Sequence, residues 1–123
     1  MKTKLKKIVE KADEAFAFYK PEDFLSLCHE DIVWRMVGEE TAMGKDEVRK
    51  WMALGIDNGD VSFEPPSINY INIIEENKCV IAFGEMVIKK KNGHISNFSY
   101  CDIYRFKNDK IIELTSFVIP SEL

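Results

Sequence analysis

In the stretch NFSYCDIYRF, Asn97 to Phe106, aromatic side chains recur at every second position, and one carboxylate, Asp102, stands in the same series. A carboxyl group on an apolar face is costly unless it is paired, protonated or used. Burial among aromatic rings raises its pKa, and a second carboxyl nearby raises one of the two further. Held neutral, such a group donates a hydrogen bond; poised near neutral pH, it serves as a general base. The alternative is a structural Asp102 that hydrogen-bonds Tyr100, Ser116 or a buried water.

Which side chains accompany Asp102 depends on strand register. Asn92-Gly93 is the strongest hairpin signal in the chain, and a two-residue turn there makes Lys91 face His94. Asp102 then lies across from Phe83, and Tyr100 across from Glu85. Glu85 becomes a diagonal neighbour of Asp102 on one face, with Tyr100 beside both. The candidate catalytic set is therefore Asp102, Glu85 and Tyr100, although a strand carboxylate such as Glu85 often stays solvated at a rim. Ile81, Val87, Phe98 and Tyr104 share this face. In the next hairpin, Lys107 to Lys110, a three-residue loop with a bulge at Asp109 brings Leu114, Ser116 and Val118 to the same face; a two-residue loop does not. The bulge is the adopted reading, because it aligns an apolar face across three strands. The opposite face then carries Ala82, Gly84, Met86, Ile88, Cys101, Ile103, Arg105, Thr115, Phe117 and Ile119. That surface is too apolar to stay wet, which predicts a homodimer formed through the outer sheet face.

The elements that position these residues divide into a helical front and a strand-rich back. Leu5, Ile8, Val9, Ala12, Ala15, Phe16 and Tyr19 form one apolar stripe at helical spacing. Pro21 opens a short second helix, PEDFLSLC, with Phe24, Leu25 and Cys28 inward. DIVWRMV alternates as a strand with Ile32, Trp34 and Met36 on one face, and KDEVRKWMALG gives a third helix packing Val48, Trp51 and Met52. From Val61 the period becomes two, giving four long antiparallel strands. Asn77 and Asp109 mark two further tight turns. This is an α+β architecture: three N-terminal helices packed in a curved, mainly antiparallel sheet, forming a cone with an internal pocket. Phe16, Tyr19, Trp34, Met36, Trp51, Phe83, Tyr104, Leu114, Ser116 and Val118 are its candidate ligand-binding walls, suited to a hydrophobic small molecule.

Other function classes recede. The 123 residues suit a single domain, 1–123, and the net charge of −4 with no basic stripe disfavours nucleic acid. The start lacks a signal-peptide apolar run, and no membrane-length apolar stretch occurs. Cys28, Cys79 and Cys101 lack metal-ligand spacing and read as reduced thiols in the cytoplasm. CHED, Cys28 to Asp31, is ligand-rich, but its adjacent side chains diverge at a helix end, so no metal is expected. His94 follows a turn and reads as a surface residue. No nucleophile–base pair and no nucleotide fingerprint are present, and no cofactor is expected.

The order of a first helix, PEDFLSLCHEDIVWRMVG, GKDEVRKWM and YCDIYRFKNDKIIEL resembles the SnoaL-like and ketosteroid-isomerase-like proteins of the nuclear-transport-factor-2-like superfamily, over nearly the whole chain. The resemblance implies their cystatin-like cone. It also matches Asp102 to the ketosteroid-isomerase Asp that donates to the developing oxyanion. The isomerase's general base falls on Met36, and its oxyanion Tyr on Ala12, so neither carries over. The family's hairpin usually has Gly before the Lys; here Asp109 stands there. SnoaL-type cyclases rely on an acidic pocket residue. The implied function is binding of a hydrophobic small molecule with acid–base isomerisation, cyclisation or hydration; the alternative is a non-catalytic ligand-binding or dimeric accessory protein.

Overall fold

A computed structural model describes residues 2–57, 67–89 and 93–120. The apolar stripe at the start of the chain forms helix α1 (Lys4–Ala17), capped by Thr3, whose hydroxyl accepts from the Lys6 amide at 3.3 Å. Its inner side buries Val9, Ala12, Ala15 and one charged residue, Asp13. Helix α2 (Pro21–Ser26) starts on its proline. It is shorter than PEDFLSLC suggests: Leu27 caps it, and Cys28 opens strand β1 (Cys28–Met36). CHED is thus a strand segment, in which the His29 ring nitrogen accepts the Asp31 amide at 3.0 Å. A short strand β2 (Thr41–Met43), not foreseen from the sequence, pairs with β1 before helix α3 (Lys45–Asp57).

Four long strands follow: β3 (Ser67–Glu76), β4 (Cys79–Lys89), β5 (Ile95–Lys107) and β6 (Lys110–Pro120). With β1 and β2 they make a curved six-stranded sheet in the order β2-β1-β6-β5-β4-β3, antiparallel except where β1 runs parallel to β6. The fold is α+β, as the resemblance implies. The core lies between the helices and the inner sheet face, with Phe24, Ile32, Val48, Val80, Tyr104, Ile111 and Leu114 almost wholly buried. Among the described residues no helix is long and apolar enough to cross a membrane.

The register of β4 against β5 corrects the expected one by a single residue. Lys89 pairs with Ile95, Ala82 with Asp102, and Gly84 with Tyr100. Asn92 lies outside the described residues. Because side chains alternate, one step exchanges the two faces of β4. Val80, Ala82, Gly84 and Met86 point inward with Asp102, while Ile81, Phe83, Glu85 and Val87 point outward. The physical reason is room: α1 packs on β3 and β4, Ala82 is wholly buried on that face, and a Cβ at Gly84 would run into the Asn69 carbonyl of β3. Phe83 in their place would overfill the interface.

The β5–β6 hairpin reaches the expected face by a different route. Asn108 and Asp109 both have positive φ, 51° and 58°, and form a two-residue loop between paired Lys107 and Lys110. The register shift comes later, between Arg105 and Phe106, opposite the extra residue Ile112. A bulge is present as expected, but away from the turn. It sets Ser116 against Asp102, Leu114 against Tyr104 and Val118 against Tyr100.

A second bulge shapes β3. Tyr70 pairs with Gly84 and Asn72 with Phe83, so Ile71 is extra and exposed. It keeps Ile68 and Tyr70 on the inner face with Ile73 beyond them. Gly84 makes this possible, since a Cβ there would lie 2.0 Å from the Asn69 carbonyl oxygen. Gly84→Ala should force the bulge away and cost about 2–3 kcal/mol or more, read as a lower urea midpoint; an unchanged midpoint would show that the close approach is not needed.

Candidate active site

The inner sheet face and α1 enclose a cavity of about 160 Å³ lined by Asp13, Phe16, Trp34, Met36, Ile68, Met86, Tyr100, Asp102, Ser116 and Val118. Asp102 comes from β5, whose alternation puts Tyr100, Asp102 and Tyr104 on one face. Ser116, directly opposite on β6, hydrogen-bonds Asp102. The Trp34 indole N–H donates to the Ser116 oxygen at 3.1 Å. With its lone pair engaged there, Ser116 has its proton for the Asp102 carboxylate.

Asp13 is the second carboxyl of the cavity. It stands within the buried stripe of α1 and is 7 % exposed. Tyr70 from β3 donates to one of its oxygens, and Tyr104 from β5 donates to the other at 2.9 Å. These three groups tie α1 across the sheet.

Burial pushes Asp102 up from 3.8 to about 7, with Asp13 adding to the rise and the Ser116 hydrogen bond opposing it. Burial likewise pushes Asp13 up to about 6, while Tyr70 and Tyr104 hold it down and Glu10 raises it. Asp13, with two donors, is the better stabilised anion, and Asp102, with one, is the better proton holder. Burial, followed by the repulsion of Asp13, also pushes the Tyr70, Tyr100 and Tyr104 hydroxyls well above their ordinary value. The Tyr100 hydroxyl is buried and has no hydrogen-bond partner among the described residues.

A sequence model of the SnoaL-like domain matches residues 9–114. The chain belongs to the SnoaL-like domain family. No curated protein sequence matches it. Among solved structures, this SnoaL-like domain is similar to an NTF2-like protein of unknown function from Cytophaga hutchinsonii, with 22% identity over 94% of this chain and 99% of that one and a TM-score of 0.70. It is also similar to TerC co-crystallised with polyporic acid, with 14% identity, 93% and 90% coverage and a TM-score of 0.77. A third is an LEH-like epoxide hydrolase of M. tuberculosis, with 11% identity, 94% and 82% coverage and a TM-score of 0.76. At these identities the likeness is one of fold.

Of the residues singled out from sequence, this SnoaL-like domain gathers Phe16, Trp34, Met36, Tyr100, Asp102, Ser116 and Val118 around the cavity. Glu85 and Phe83 do not join them; the register turns both to the outer face, where Glu85 is exposed. Tyr104 and Leu114 lie deeper, in the core. Trp51 stacks against Trp34 at 5.4 Å between ring centroids and borders an outer cleft with Met36, Glu39 and Glu40. Tyr19 follows α1 in a left-handed conformation and is not part of the lining. Asp13, Ile68, Tyr70 and Met86 were not anticipated. Asp13 had the same signal as Asp102, a carboxylate inside an apolar stripe, whereas Ile68, Tyr70 and Met86 depended on the register and the β3 bulge. Among the described residues no three His, Cys, Asp or Glu side chains cluster to hold a metal. Burial pushes the Cys28 thiol up to about 12, so it stays protonated.

The raised Asp102 has a consequence for stability. Between 3.8 and about 7 the native state holds a proton that the unfolded chain has released. Stability contributed by this group is therefore full below the lower value and lost as pH rises through the upper one. Asp102→Asn should stabilise the protein at about pH 8 by on the order of 2–4 kcal/mol and be nearly neutral at about pH 4, measured by urea unfolding. An equal effect at both pH values would rule out a raised native pKa.

Proposed function

We propose that the protein is an acid–base enzyme acting on a small molecule whose apolar part enters the cavity. One observation carries this reading: two carboxyls, the buried Asp13 and the partly exposed Asp102, share one apolar wall and both hold protons more tightly than ordinary aspartates. Such a pair suits a reaction in which one group takes a proton while the other supplies one. Asp13, held as a carboxylate by Tyr70 and Tyr104, is the base. Asp102, the better proton holder, is the acid, oriented by Ser116 and through it by Trp34. In a hydration, Asp13 takes a proton from water as its oxygen bonds to carbon, and Asp102 protonates the oxygen whose bond to carbon breaks. In an isomerisation, Asp13 takes a proton from carbon and Asp102 protonates the adjoining carbonyl oxygen. The fold shared with an epoxide hydrolase supports the first class.

The cavity, at about 160 Å³, compares with the engineered cavity of about 150 Å³ that admits benzene. It therefore takes a ring-sized apolar group, with the remainder of a larger substrate outside. Phe16, Trp34, Met36 and Val118 form walls suited to such a group.

The expected partner is a second copy of this chain. With the corrected register the outer face carries Ile81, Phe83, Val87, Cys101, Ile103, Phe117 and Ile119, of which Phe117 and Ile119 are exposed. This apolar sheet surface supports a face-to-face homodimer. The three free thiols support a reducing compartment, the cytoplasm.

Two measurements test these statements. With a panel of ring-bearing epoxides and enolisable ketones, Asp102→Asn and Asp13→Asn should each lower kcat/KM by about 100-fold or more; an unchanged value for a turned-over substrate would rule out the two aspartates as its acid and base. In sedimentation velocity the wild type should run as a dimer and Phe117→Glu as a monomer. A monomeric wild type would refute the interface.

A further inference from the structure

We infer that the cavity is a binding site for a small organic cation, an ammonium group carried on a ring-sized apolar body. The inference rests on the cavity as the ligand site proposed above and names the ligand class; its test does not depend on turnover.

Among the described residues the lining has two groups that become negative, Asp13 and Asp102, and no lysine, arginine or histidine. A carboxylate or phosphate ligand would bring a third negative charge into a desolvated space, whereas an ammonium ion would neutralise what is there. The walls also present aromatic rings. Phe16 and Trp34 pack at 5.2 Å between centroids, and Tyr100 faces the same space; aromatic faces attract cations within about 6 Å. The Tyr100 hydroxyl is an independent pointer to a ligand. The residue is 7 % exposed, and its oxygen lacks a partner among the described residues. A phenolic oxygen accepts from an ammonium N–H while its own proton goes to a carboxylate.

An outer cleft between α1 and β3 shares Asp13 and Ile68 with the cavity and adds Glu14 and Glu10, the latter ion-paired with Lys2 at 2.6 Å. The titratable groups around the pair are thus Glu10 and Glu14 from α1, Tyr70 from β3, and Tyr100 and Tyr104 from β5. The lining residues from β1, β4 and β6, namely Trp34, Met36, Met86, Ser116 and Val118, do not titrate.

Benzylamine, benzyl alcohol and benzoate share a ring and differ in charge, so their titration calorimetry with the wild-type protein separates charge from shape. Benzylamine should bind about tenfold or more tighter than benzyl alcohol at about pH 8, and benzoate should not bind. The preference should shrink at about pH 5, where both carboxyls take up protons. In the double variant Asp13→Asn, Asp102→Asn it should vanish while benzyl alcohol still binds, which reports an intact cavity. Tyr100→Phe should weaken benzylamine selectively. Equal affinity for benzylamine and benzyl alcohol, tighter binding of benzoate, or no binding by any of the three would overturn the inference. A retained benzylamine preference with no acid–base turnover would unseat the enzyme reading alone.

Discussion

A carboxylate removed from water must find donors, and Asp13 finds them on two different strands. Tyr70 approaches from β3 and Tyr104 from β5, so one side chain on α1 bridges the edge strand and β5 across β4. Much of the local architecture serves this contact. Tyr70 faces inward because Ile71 bulges, and the bulge fits because Gly84 has no side chain. Gly84 and Ala82 face inward because β4 pairs with β5 one residue away from the register that the turn sequence suggests. Tyr104 and Asp102 then share a face through simple alternation along β5. The second carboxyl enters the cavity from the same geometry that satisfies the first.

This arrangement is poor as a device for stability. Neutral, well-packed groups at the same positions would avoid the desolvation that raises both aspartates. The protein keeps two acids in one cavity, together with a tyrosine hydroxyl that has no partner among the described residues. Buried polar groups held short of satisfaction concentrate where a ligand or a reacting atom completes them. The hydrogen bonds that do exist are aimed: Trp34 fixes Ser116, and Ser116 addresses Asp102. An indole packed against the tilted rings of Phe16, Phe24 and Trp51 has little freedom, so the orientation of the acid is inherited from the aromatic core.

How much of this was legible in the sequence depends on the range of the signal. The stripe of α1, the proline start of α2 and the long alternating strands are local periodicities, and they appear as expected. Asp102 was visible as a carboxylate in an aromatic series, and its association with Ser116, Val118, Trp34 and Met36 followed from face arithmetic on β5, β6 and β1. Register was harder. Asn92-Gly93 is a strong local signal, but the faces of β4 follow what α1 can tolerate beneath it, a long-range packing constraint that outweighs turn preference. Glu85 and Phe83 were therefore assigned to the wrong face. In the β5–β6 hairpin two deviations compensated: the turn is tighter than expected and the bulge sits farther along. Asp13 was readable by the criterion that singled out Asp102. It falls among Val9, Ala12 and Phe16 at helical spacing.

The place of Asp13 on α1 bears on chemistry within the fold. In the resemblance to ketosteroid isomerases, the acid on β5 has a counterpart in Asp102, while the strand that would carry the base offers Met36. Here the second carboxyl comes from α1. Moving it from β1 to the helix changes the wall as well as the partner. β1 presents Trp34 and Met36 as apolar surface, and the two carboxyls face the cavity from helix and sheet. Since Asp13 is anchored to two tyrosines and Asp102 to a serine, the two acids differ in which state they favour although their residue type is the same. The donor count gives the pair a direction, favouring the charge on Asp13 and the proton on Asp102. Under the proposed acid–base reading, the orientation of a ligand between them would select which of its atoms gains a proton and which loses one.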